Sequence, residues 1–168
     1  MKVIKLTKGK VALVDDEDYS TLNKYNWHAQ SIGNTFYARR TITITKGVKR
    51  CSSMHREILS LKGDATCDVD HINHDGLDNQ RKNLRVCNRT DNMGNCKPHE
   101  GRKYKGVHLY KRINRYSAQL CYQGVRYFLG YYDTAEQAAK TYDEKAKELF
   151  GEFAYLNFDS RIKVKYTD

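Results

Sequence analysis

The chain has 168 residues, of which 39% are hydrophobic and 30% charged, a composition too polar for one large core. Thirty Lys and Arg against twenty Asp and Glu give a formal net charge of +10, which favours a polyanionic partner: nucleic acid first, an anionic membrane surface second. No apolar run of about 18 residues could span a bilayer, and the opening MKVIKLTKGK alternates apolar and basic residues, so a cytoplasmic protein is expected.

The first 65 residues carry a net charge of +6, and the stretches KVIKL, KVALV, FYARR, TITIT and RCSSM read as short strands. DDEDYSTLNKY is expected to be a short helix with its acids at the favoured N-terminal end, and MHREILSL a second one. His55 in that second helix reads as structural, since a lone helical histidine usually is. Arg39 and Arg40, with Lys49 and Arg50, are candidates for a DNA-facing surface or merely for solvated strand faces; the sequence leaves both open.

Residues 66–100 are nearly neutral, at −1, and contain DVDHINHDGLDNQRKNLRVCNRTDN, with two histidines and five asparagines in 25 positions. Such residues rarely fill a core, because each buried amide or charge needs partners. ATCDVD reads as a strand ending at Asp70 and His71, HDGLDNQRK as a loop, and NLRVC as a second strand. NRTDN reads as a helix start with Asn88 as cap and Asp91 three residues on. Asn92 then falls in the first helical turn, where its oxygen and that of Asp70 could converge on one hard cation beside His71. His74 reads as a bystander directed to solvent or phosphate. Pro98, the chain's one proline, marks the best linker, at 98–103. The five cysteines are scattered with no C-x-x-C pair, which argues against a zinc ribbon and for reduced thiols in a reducing compartment.

The spacing D-H-x(11)-N-x(8)-N, Asp70 and His71 followed by Asn83 and Asn92, resembles the HNH nuclease motif. MHREIL and DHIN…DN…NLR resemble its phage and intron-encoded homing subset. The resemblance implies a ββα-metal finger over 66–97, with His71 as general base and Asn83 pinning the loop that orients it. Asp70 and Asn92 would hold one divalent ion. Asparagine stands at the third position, where histidine is common, and hard oxygen donors favour Mg²⁺ or Mn²⁺.

From Gly101 to Tyr132 there are seven basic residues and no acid. YKGVHLY, RYSAQLCY and VRYFLGYY read as three strands, with Tyr116, Ala118, Leu120, Tyr127 and Leu129 inward and Arg115, Ser117, Gln119, Arg126 and Phe128 outward. TAEQAAKTYDEKAKELFG reads as a helix with Thr134 and Gln137 in a capping box and Gly151 at its end. YKGV, LGYYDTAEQAAKTYDEKA and LNF make residues 104–158 similar to the apetala/ethylene-response-factor domain. That resemblance implies a sheet reading the DNA major groove through Lys105, His108, Arg115, Gln119, Arg126 and Phe128. Gln119 and Cys121 stand where glutamate and arginine are usual in that domain, and Phe128 where tryptophan is, so the plant target sequence does not carry over.

The expected architecture is therefore α+β: a small, mainly-β module at 1–65, the finger at 66–97, the linker at 98–103, the three-stranded sheet packed on one helix at 104–158, and a basic tail at 159–168. The expected activity is metal-dependent hydrolysis of duplex DNA by a phage-encoded homing-type endonuclease, a monomer nicking one strand, with no membrane partner and no small-molecule cofactor. The competing classes are a non-catalytic DNA-binding regulator with a decayed finger and an RNA binder, the latter disfavoured by the lack of an RNP-type aromatic pattern.

Overall fold

A computed structural model describes residues 1–33, 35–61, 66–99 and 101–159 of the chain. It is α+β, as the patterning implies, and divides into two compact units, Met1–Cys87 and Asn88–Asp168. The expected tail, beyond Asp159, lies outside the described residues. Among the described residues no helix is long and apolar enough to cross a membrane.

The first unit begins with a hairpin of β1 (Lys2–Lys5) and β2 (Val11–Val14), followed by α1 (Asp16–Leu22). β3 (His28–Ile32), β4 (Thr35–Thr45) and β5 (Val48–Ser53) form an antiparallel sheet in the order β3-β4-β5, and α2 (Met54–Ile58) follows. β3 was not expected, because HAQSI has no strand-like alternation of branched residues; its pairing with β4, Gln30 opposite Tyr37 and His28 opposite Arg39, makes it a strand. FYARR and TITIT prove to be one 11-residue strand, β4. No Gly, Pro or Asn separates them, so nothing stops the ladder. β6 (Asp68–His71) and β7 (Leu84–Cys87) complete the unit as an antiparallel pair, with a 3₁₀ turn at Arg81–Asn83 leading into β7. Ile4, Val14, Leu22, Trp27, Ala38, Met54, Ile58 and Leu84 form one core, so the hairpin, the sheet, α2 and β7 share a single apolar interior.

The second unit opens with α3 (Arg89–Gly94), capped as expected by Asn88, whose side-chain oxygen accepts from Asp91 N at 2.9 Å. β8 (Val107–Tyr110), β9 (Arg115–Tyr122) and β10 (Val125–Tyr132) form an antiparallel sheet in the order β10-β9-β8, backed by α4 (Ala135–Phe150). The Thr134–Gln137 capping box is present, and Ala138, Ala139, Tyr142 and Ala146 are buried as the stripe required. Small residues here let α4 lie close to Val107, Ala118 and Leu120.

Candidate active site

The loop from His71 to Gln80 is mostly polar, yet it is firmly held. Its backbone joins β2 on one side: Leu13 N donates to Leu77 O and Asn79 N donates to Leu13 O, both at 2.8 Å. On the other side it abuts β4. A Cβ on Gly76 would lie 2.5 Å from Phe36 O and 2.8 Å from the Tyr37 ring, so only glycine allows this approach. The 3₁₀ turn is anchored to α1. Asp15, at the helix N-cap position, turns its carboxylate away from the helix to accept from Arg81 N at 2.7 Å, while Asp18 pairs with the Arg81 guanidinium at 2.7 and 2.9 Å.

Asn83 is buried in that turn rather than on a strand, and it ties the loop internally. Its carbonyl oxygen accepts from Asn73 N at 3.0 Å, and its amide donates to Asp78 O at 2.7 Å and to Asn73 Oδ1 at 3.1 Å. The side chain of Asn73 in turn donates to Asp78 Oδ2 at 2.7 Å. His71 closes β6 immediately before this network, and its backbone oxygen accepts from His74 N at 2.9 Å.

Asp70 is buried and paired with Arg85, whose Nε and terminal nitrogen lie 2.8 and 2.6 Å from Asp70 Oδ2. Strand pairing imposes this, since Asp70 is directly opposite Arg85 in the β6–β7 register. His71 is 5% exposed, and burial pushes its imidazole below the usual histidine range. The Asn79 carboxamide and the charges of Asp70, Asp75 and Asp78 pull the other way. Burial favours a neutral ring able to accept a proton, and the acids favour the imidazolium once formed.

His55, which sequence reasoning set aside, is part of this site. Its ring packs edge-on against His71 with centroids 5.1 Å apart, and Tyr37 completes the group at 5.7 Å from each. Burial, then His71, Arg56 and Arg39, hold the His55 imidazole down to about 3. The fully buried Asn79 was likewise missed, having read only as a turn residue. Sixteen positions separate His55 from His71, and no periodicity links them; the signal in the sequence was that MHREIL, the stretch holding His55, belongs to the resemblance to the homing subset. His74 adopts φ +61° and is half-buried rather than turned to solvent.

Asn92 is half-buried on α3, in the second unit. Among the described residues no three His, Cys, Asp or Glu side chains gather into a metal centre.

The adjacent arginines of β4 separate by strand parity. Arg40 faces inward, pairs with Glu57 through two contacts of 2.7 and 3.1 Å, and stacks on Tyr25 at 3.7 Å. It is committed to the interior, which disfavours it as a DNA contact. Arg39 lies on the Tyr37 face, where its NH1 donates to Gln30 Oε1 at 2.9 Å.

In the second unit the register brings most of the expected reading residues onto one face. His108 is opposite Ser117, Gln119 opposite Phe128, Cys121 opposite Arg126, and Tyr110 opposite Arg115, all on the side away from α4. A bulge between Phe128 and Gly130 keeps Tyr131 on the same face as Phe128, with ring centroids 5.1 Å apart. Ser117, expected outward, is on this face but buried, its hydroxyl donating to His108 O. Arg115 pairs with Asp133 at 3.0 Å, and His108 Nδ1 lies 2.9 Å from Arg102. Lys105 does not join them: its ammonium donates to Met93 O and Gly94 O at the end of α3, and burial lowers it to about 8. It caps a helix C-terminus. A cleft of about 620 Å³ opens beside the face, lined among others by Lys97, Arg102, His108, Gln119 and Arg126.

No family model matches the chain, and no solved structure matches it. An uncharacterized HNH endonuclease of Acanthamoeba polyphaga mimivirus is 32% identical over 154 residues, 89% of this chain and 76% of that protein. The chain belongs to the HNH endonuclease family. A shorter stretch of 57 residues, 34% of the chain, is 37% identical to APETALA2-like protein 2 of Oryza sativa. A 56-residue stretch is 38% identical to an AP2-like ethylene-responsive transcription factor of Arabidopsis thaliana. These two matches span only 13% and 12% of the plant proteins.

Proposed function

We propose that the protein is a site-specific DNA endonuclease of the homing type, which hydrolyses one phosphodiester bond of duplex DNA and releases a nicked strand. The observation that carries this reading is the buried Asp70–His71 pair at the end of β6, beside a loop that Asn83 closes with three hydrogen bonds. A decayed finger would have no need to keep a neutral imidazole so positioned.

His71 takes a proton from a water molecule, the resulting hydroxide attacks phosphorus, and the P–O3′ bond breaks. Asp70, Asp75 and Asp78 stabilise the imidazolium formed. Arg85 fixes the Asp70 carboxylate by holding Oδ2. A carboxylate offers about four acceptor positions, so Asp70 can serve Arg85 and one further cation. We assign Asp70 and Asn92 as the residues that would hold Mg²⁺ or Mn²⁺; both offer the hard oxygens these ions prefer. The ion, when bound, supplies a Lewis acid that neutralises charge on the phosphate and on the departing oxygen. The outer face of the β8–β9–β10 sheet, with Arg115, Gln119, Arg126 and Phe128, is assigned to duplex DNA.

The test is incubation with supercoiled plasmid and genomic DNA in Mg²⁺, in Mn²⁺ and in EDTA. Cleavage with either metal and none in EDTA is expected. DNA binding without cleavage under all three conditions would replace this reading with the regulator.

A further inference from the structure

The cleft of about 620 Å³ lies wholly within the second unit, and its floor and rim differ in kind. The floor is apolar and buried, made by Leu120 of β9 with Tyr142 and Phe150 of α4. The rim carries the exposed cations Lys97, Arg102 and Arg126, and no Asp or Glu lines the cleft among the described residues. Its walls are set by close packing. α3 ends on Phe150, where a Cβ on Gly94 would lie 2.5 Å from the ring, and a Cβ on Gly106, just before β8, would collide with the Tyr142 ring. Lys105 holds the end of α3 through Met93 O at 3.1 Å and Gly94 O at 2.6 Å, and its own backbone N donates to Asn157 Oδ1 at 2.7 Å. The opening is therefore formed before any ligand arrives.

Buried apolar side chains beneath a cationic rim suit a ligand with one flat apolar face and one anionic group, which a nucleotide has. The volume falls within the roughly 300–1,000 Å³ of small-ligand sites. Gln119 and Arg126 line the cleft and also stand on the outer face of the β8–β9–β10 sheet, so the cleft is continuous with the face assigned to DNA. A paired base cannot enter, because its faces are stacked and its edge is already hydrogen-bonded.

We propose that the cleft seats one unpaired nucleotide of the DNA bound on that face, its base against the apolar floor and its phosphate at the Lys97–Arg102 rim. The inference goes beyond the nuclease reading and rests on its assignment of the sheet to DNA. The Gln119 amide, with one donor side and one acceptor side, complements the N6 and N7 edge of adenine. A bulged or gapped site, where little or no pairing has to be broken, is then bound ahead of a fully paired one.

The experiment measures binding in EDTA to two short duplexes, one with a single unpaired 2-aminopurine nucleotide and one with that nucleotide paired to thymine. Wild type should bind the bulged duplex about tenfold tighter, within the range that one stacked base contributes. Met93→Trp fills the cleft from the α3 side and Lys97→Gln removes a rim cation. In each, with folding checked by circular dichroism, the preference should fall below about threefold as the stacking or phosphate contact is lost. Alkylation gives a second readout, because the exposed Cys96 and Cys121 line the cleft while the exposed Cys51 belongs to the first unit. The bulged duplex should slow N-ethylmaleimide modification of Cys96 and Cys121 more than the paired one, with Cys51 modified equally in both. Equal affinity for the two duplexes overturns the proposal, as does an undiminished preference in folded Met93→Trp. Free dAMP protecting both cleft thiols, with no preference for the bulge, overturns it in favour of a soluble nucleotide. If the protein cuts no plasmid and the bulge preference still depends on Met93 and Lys97, the seat stands and hydrolysis falls.

Discussion

His71 closes β6 and His74 follows three positions on in the loop, and their surroundings differ. His71 is buried against His55 and Tyr37, with acids near it, whereas His74 occupies a left-handed turn position and is half-buried. His71→Ala should therefore abolish cleavage while leaving DNA affinity nearly unchanged, and His74→Ala should keep most activity. Gel-shift and plasmid assays on both folded variants check this, and equal collapse of both would mean the base is misassigned. His55 gives a second prediction at this scale. Its folded pKa of about 3 lies below the ordinary 6.5, so the unfolded chain binds the proton first. The stabilisation is complete above pH 6.5 and is lost as pH falls toward 3. At about 1.4 kcal/mol per pH unit, lowering pH from 6.5 to 5 should cost about 2 kcal/mol through this residue. Urea denaturation of wild type and His55→Leu at both pH values isolates the term; equal pH dependence in the two would show that His55 is not buried as described.

At the scale of elements, the loop's position depends on one missing methyl. In Gly76→Ala the new carbon must displace either the Phe36 carbonyl or the Tyr37 ring, both held in β4, and overpacking of this kind costs typically about 1–3 kcal/mol. The loop should move rather than the strand, so activity should fall by more than stability alone explains. Nicking rates measured well below the melting temperature check this, and wild-type rates would show that the loop's docking on β4 is not needed. The elements themselves were largely legible in the sequence. β1, β2, β6, β7 and all three strands of the second sheet announce themselves by branched or alternating residues, and α4 by its capping box and alanine stripe. What was not legible depends on pairing. β3 is a strand because β4 offers it partners, and Arg39 and Arg40 part company only once β4 is known to run unbroken past them. Lys105 looked like a reading residue because the turn that points it at the α3 carbonyls has no sequence mark. Within the candidate site, Asp70, His71 and Asn83 were singled out through the motif resemblance, while the Asp70–Arg85 pair follows from strand register and the His55–His71 contact from the packing of α2.

At the scale of the whole molecule, the question is how many strands one chain can cut. Each chain carries one Asp70–His71 pair, so under the proposed mechanism it activates one water and attacks one phosphorus at a time. The two backbones of a duplex are antiparallel, so their scissile phosphates present opposite directions to a fixed base. A single bound protomer therefore addresses one strand in a given pose. Cutting both requires a second protomer related by two-fold symmetry, or release and rebinding in the reverse orientation. The face of the second unit proposed for duplex DNA is itself unsymmetrical. Phe128, Tyr131 and Tyr110 gather aromatic surface at one part of it, while Cys121 pairs with Arg126 at another. A face of that kind selects one orientation on a site without two-fold symmetry, which disfavours reverse rebinding. Supercoiled plasmid should accordingly become open circles well before linear DNA appears. The nicking rate should rise in proportion to protein concentration below saturation, rather than with its square. Gel time courses at several protein concentrations distinguish the cases: linear product without an open-circle stage, or a second-order dependence, would mean that two protomers act together.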